Sequence, residues 1–114
     1  MTFDNLVTLL EQLAGTLKCD VAYSFFKDED EIKRQRFLLY ELPETDDFYA
    51  DGVNYANIEA VNLEFYSPER EFATEKQIDA FLKQNEIAYK KNAAYISTEK
   101  VHLTTYELEE VFSG

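Results

Sequence analysis

The sequence predicts an α/β chain of the α+β kind: one domain, a mostly antiparallel or mixed β-sheet with two helices on one face, in the order α-β-β-β-α-β-β. Three observations predict it. Residues 3–17 and 74–85 repeat apolar side chains at spacings of three and four, which gathers them on one stripe of a helix. Five other stretches are rich in β-branched and aromatic residues or alternate in polarity, the signature of strands. The chain has 114 residues, 46% of them apolar, enough for one core of ordinary size. No internal repeat and no Gly/Ser- or Pro-rich linker divides it, so 1–114 reads as one domain carrying a long loop at 43–57.

In the first helix Phe3, Leu6, Val7, Leu10, Leu13, Ala14 and Leu17 form the stripe. Thr2 is placed to cap it and Asp4 to favour its N-terminus; Gly15 weakens the last turn or ends it. "VAYSFF" (21–26) and "RFLLYEL" (36–42) are the first two strands. The charged turn "KDEDEIKRQ" between them predicts an antiparallel pair, and Pro43 ends the second strand. After the 43–57 loop, Val61, Leu63 and Phe65 share one strand face, with Asn62, Glu64 and Tyr66 on the other. Ile58 and Ala60 stand in the opposite phase. That calls for a bulge near Ala60 or a covered second face, as in a strand running on into a partner. The second helix, "TEKQIDAFLKQN", carries Ile78, Phe81 and Leu82, with Thr74 and Gln77 spaced as a capping box. "EIAYKKNAAYIS" and "KVHLTTYELEEVF" are the last strands, turning near Thr98–Lys100. A single sheet with both helices on one side buries both stripes most simply.

Twenty-three acidic against eleven basic residues give a formal charge of −12. Nucleic-acid binding needs clustered Lys and Arg, so this balance argues against it. The basic run "KRQR" (33–36) directly follows "DEDE" (28–31) and reads as a solvated hairpin tip. Cys19 is the sole cysteine, which leaves no internal disulfide and no thiolate-rich metal site. No apolar run approaches the ~20 residues of a membrane helix, and "MTFDNL" lacks the pattern of a signal peptide. A soluble chain made in a cytoplasm is the expectation.

The loop "DDFYADG" invites a metal reading. An EF-hand-like loop starting at Asp47 needs an oxygen ligand at its third position and Glu at its twelfth; Tyr49 and Ile58 stand there. No Gly-rich phosphate loop, nucleophile elbow or His pair is present, and His102 sits on an alternating strand. Enzyme chemistry, a cofactor and a metal are therefore not expected. Phe48, Tyr49 and Tyr55, set among acids in the loop, suit a protein interface, because tyrosine buries area while its hydroxyl stays hydrogen-bonded.

"FYADGVNYANIEAVNLEFYS" (48–67), followed by "EKQIDAFLKQNEIAYKK" and "YISTEKVHLTTYELE", resembles the small tail terminator (tail-completion) proteins of siphophages and related prophages. The likeness covers roughly residues 1–110 and lies in the order of features rather than in one sharp motif. The "DEDE"/"KRQR" turn has no counterpart in it. The resemblance implies a structural role: a homo-hexameric ring in the virion tail, at the head-proximal end of the tail tube, formed after synthesis in the host cytoplasm. Its partners would be further copies of itself, the tail tube protein and the head–tail connector protein, with DNA passing through unbound and no membrane involved. The loop would be an arm contacting a neighbouring subunit or the last tube ring, through Asp46, Asp47, Phe48, Tyr49, Asp51, Val53 and Tyr55, with Ile58 and Ala60 buried off-phase at its root. Six acidic copies would repel DNA phosphates in the lumen. The alternative from another class is an acidic DNA mimic that inhibits a DNA-binding protein by filling its groove.

Overall fold

The computed structural model describes residues 1–23, 36–42, 57–58, 60–109 and 112–113. Helix α1 spans Phe3–Leu17 and begins where expected, with the Asn5 N–H donating to Thr2 Oγ1 at 3.0 Å. It buries Leu6, Leu10, Leu13, Ala14 and Leu17. Gly15 does not end it. Lys18 does, in the left-handed region at φ 57°, where its N–H and that of Cys19 reach back to the Gly15 and Ala14 carbonyls.

The strands are β1 (Asp20–Tyr23), β2 (Phe37–Glu41), β3 (Asn57–Ile58), β4 (Val61–Ser67), β5 (Tyr89–Ile96), β6 (Val101–Leu108) and β7 (Phe112–Ser113); α2 covers Phe72–Gln84 between β4 and β5. Five of them form a mixed sheet in the order β1-β2-β4-β6-β5. Its interior pairs are antiparallel, as expected. The β1–β2 pair is not: it is parallel, with Asp20 opposite Phe37 and Tyr23 opposite Tyr40. The expected hairpin is therefore corrected. The cause is visible at Arg36, which stands just before β2. Its guanidinium donates to Glu71 (2.8 and 2.9 Å), to the Leu17 carbonyl (2.7 Å) and to Thr74 Oγ1 (3.2 Å). These bonds fix the start of β2 beside the end of α1, and so beside the start of β1. Arg36 is an anchor, not part of a solvated tip; the rest of "DEDE…KRQ" lies outside the described residues.

Strand β4 alternates as predicted, with Val61, Leu63 and Phe65 buried. The phase change upstream is neither a bulge nor a continuous strand. Asn57–Ile58 belong to a separate two-stranded antiparallel sheet with Phe112–Ser113, and the chain enters β4 only after Ala60. Two strands in two sheets need not share a phase.

The capping box at Thr74 is also corrected. Glu71 is the N-cap of α2, and Thr74 lies inside the helix, donating its hydroxyl to Glu71 Oε1 at 2.8 Å. The Glu71 side chain makes no capping bond to the helix; its carboxylate is taken by Arg36 and Thr74. Both helices lie on one face of the sheet: Leu6, Leu10, Leu13 and Leu17 of α1 and Ile78 and Leu82 of α2 share a core with Leu38, Leu63, Phe65, Tyr106 and Leu108. Phe112 is fully buried in the same core.

Candidate interaction surface

Strand β5 is the most open element of the sheet. It pairs with β6 along all eight residues without a bulge, and among the described residues no strand lies on its other side. Only Tyr89 and Ile96 are half-buried; Lys90 to Tyr95 are exposed. Sheet edges are usually blunted by charge, proline, bulges or shortness. Here the charges are Lys90 and Lys91, at one end. The other part, Asn92-Ala93-Ala94-Tyr95-Ile96, carries no such device, and Tyr95 is 55% exposed with its ring against His102 at 4.8 Å.

A polar network fixes this edge against α2. Glu75 and Asp79 are one turn apart on the helix, so both point at the strand. The Glu75 carboxylate, 4% exposed, receives Arg70 at 2.8 and 3.2 Å and Lys91 at 3.3 Å. Asp79 accepts from Lys91 at 3.1 Å and from the Tyr89 hydroxyl at 2.8 Å. The Arg70 bond, with Lys91 helping, holds the Glu75 carboxyl below the usual carboxylate range against the cost of its burial. Tyr89 is pushed up to about 12, by burial first and then by its bond to Asp79, so it stays a donor. Lys91 is thus neutralised inward, whereas Lys90, 73% exposed, lies 3.9 Å from Glu109.

The second face of the sheet is not simply wet. Phe37 and Leu39 are buried there, and Phe37 stacks on Tyr66 at 4.6 Å with the rings 9° apart. Beside them Glu64 accepts from the Tyr66 hydroxyl at 3.3 Å. Burial, with Glu41 adding repulsion, raises the Glu64 pKa although the Tyr66 bond opposes it. Glu64 and Glu75 therefore drive stability oppositely with pH. The lowered pKa of Glu75 gives stability that is full above the ordinary carboxylate value and lost as pH falls through its folded value. The raised pKa of Glu64 gives stability that is full below the ordinary value and lost as pH rises through its folded one. Glu64→Gln is expected to raise the thermal midpoint at pH 7 and leave the acid-side decline in place. A lowered midpoint at pH 7, read by circular dichroism, contradicts this.

Of the residues predicted for the arm, Asp46, Asp47, Phe48, Tyr49, Asp51, Val53 and Tyr55 lie outside the described residues. Ile58 is in β3, opposite Phe112, and Ala60 is exposed between β3 and β4. The stem of the loop is thus tied to the C-terminal strand, and through Phe112 to the core. Sequence reading passed over Arg36, Arg70, Glu75, Asp79 and Lys91. The Glu75/Asp79 spacing beside an Arg-rich start is a signal for the α2 part, but nothing local ties Lys91 to it. A shallow groove between the helices is lined by Leu9, Leu13 and Phe81 with the amides of Gln12, Gln77 and Gln84. Among the described residues no group of three His, Cys, Asp or Glu side chains is placed to hold a metal, and no helix is long and apolar enough to cross a membrane. Set against protein-family models, curated proteins and solved structures, the chain returns no match.

Proposed function

We propose that this protein is a structural tail terminator: it caps the head-proximal end of a siphophage-type tail tube as a hexameric ring, ends tube growth and offers the surface on which the head connector docks. The observation that carries the reading is the eight-residue edge strand β5, exposed from Lys90 to Tyr95 and tied to α2 by the Arg70–Glu75–Lys91–Asp79 network. An open edge is a ready template for a second chain, and repeated head-to-tail contacts form a ring where their rotation closes. The resemblance of the 48–67 stretch and of the segments after it supports the choice of assembly.

In this reading the 46–57 segment is the arm that meets the tube, and its two-residue stem, β3, is braced by β7. The formal charge of −12 per chain suits a channel for DNA, since an acidic wall repels phosphate. The arm is tested with Phe48→Ala and Tyr49→Ala combined. The expected product is a folded chain with an unchanged thermal midpoint that no longer restores normal tails to a strain lacking the gene; normal tails from this variant contradict the assignment of the arm. The whole reading is tested by tail length without the chain.

A further inference from the structure

The two edges of the sheet differ in charge as well as position. Strand β5 carries Lys90 and Lys91 and no acid, with Lys91 held inward by Glu75 and Asp79; β1, at the opposite edge among the described residues, carries Asp20 and no base. We infer that the β5 edge of one copy receives the β1 edge of a second copy, head to tail, so that the sheets of successive copies join through main-chain hydrogen bonds.

Three features of the fold support this pairing over others. The first is direction. β1 runs with β2, β2 against β4, β4 against β6 and β6 against β5, so β5 runs opposite to β1. Copies related by rotation about an axis along the strands then bring β5 and β1 together antiparallel, the slightly more stable arrangement. The second is the rows across the sheet. Asp20, Phe37, Tyr66, Leu103 and Ala94 form one row of neighbours, and Ala22, Leu39, Glu64, Thr105 and Asn92 the adjacent one on the same face. Rows carried straight on set Ala94 and Asn92 of one copy beside Asp20 and Ala22 of the next. Small residues on both sides allow strand-to-strand approach, and Asp20, exposed at the start of β1, falls opposite Ala94 on an edge that has no acid of its own. The third is closure. A β5–β5 contact is isologous and stops at a dimer, whereas β5–β1 is heterologous and continues until a ring closes.

The inference rests on the ring reading for its closure, but the contact follows from the edges alone. It is tested on the 114-residue chain by light scattering across protein concentration, at low and high salt. The wild-type chain is expected to form species larger than a dimer that persist at high salt, because main-chain hydrogen bonds make the joint and salt screens the repulsion between copies that each carry −12. Asn92→Glu with Ala94→Glu places one carboxylate opposite Asp20 and a second diagonally beside it, opposite Ala22, at exposed positions where the fold tolerates them. It is expected to keep the native circular dichroism and to weaken association on the order of 100-fold, since like charges brought face to face at an interface are strongly unfavourable. Adding Asp20→Lys to that variant is expected to restore much of the loss. A wild-type chain that stays monomeric or stops at a dimer, a double variant that assembles normally, or a third substitution that restores nothing overturns the inference. Tail length in the absence of the chain is a separate readout, so normal wild-type association with normal tails refutes the tail reading alone, and overlong tails with a monomeric chain refute the edge contact alone.

Discussion

Phe112→Ala is expected to destabilise the protein by about 3–5 kcal/mol, the cost of emptying a fully buried aromatic site. Phe112 is 0% exposed and belongs to the main core although it lies in a two-residue strand at the far end of the chain. The ring therefore does more than fill volume. It fixes β7, and β7 is the pairing partner of β3, the stem of the long loop. Urea unfolding checks the energy through a lower midpoint at nearly unchanged slope. Hydrogen exchange checks the consequence: amides at Asn57–Ile58 are expected to lose protection in the variant more than those of β4. A loss under ~1 kcal/mol, small beside the known cost of such truncations, contradicts the placement of Phe112 in the core.

Arg36→Ala is the second large effect, about 2 kcal/mol for a partly exposed guanidinium whose loss strands polar partners. The residue is one-third exposed and Glu71 one-quarter, so solvent screening reduces the ionic share. What remains is geometric: Arg36 donates to the Leu17 carbonyl at the end of α1 while binding Glu71 and Thr74 at the start of α2 and lying over the Phe65 ring at 5.7 Å. Arg36→Lys is expected to recover less than half of the loss, because an ammonium cannot serve three directions with a planar fork. Equal midpoints for wild type and Arg36→Ala in thermal unfolding contradict this role.

Much of the fold was legible in the sequence, and the reason differs by element. The limits of α1 follow from a capping threonine and an uninterrupted 3.6-residue stripe, both local signals. The alternation in β4 is local too. Strand direction is not: a period of two is the same read either way, and the parallel β1–β2 pair depends on Arg36 meeting groups 19 and 35 residues away. Within "KRQR" nothing marks Arg36 apart from its neighbours, so the run reads as one solvated patch. Thr74 and Gln77 have the spacing of a capping box, but Arg36 recruits Glu71 and moves the helix start to Phe72. The phase change at 58–61 was visible, whereas its cause needs β7, 54 residues downstream of Ile58.

The candidate surface was legible in smaller part. The aromatic, acidic loop stands out by composition, and its stem is placed by the fold. The β5 edge had a sequence signal that is easy to pass over: "KKNAAY" is poor in β-branched residues for a strand of that length, which fits a strand with no sheet on one side. Which of the five strands ends the sheet is a property of topology, and topology depends on contacts far apart in sequence.

Tail length, measured by negative-stain electron microscopy in lysates of a phage or prophage from which this gene has been deleted, decides whether the chain caps a tail tube. Overlong or ragged tubes that are not joined to filled heads are expected, with a return to uniform length when the gene is supplied in trans. Tails of normal length on infectious particles contradict a capping role.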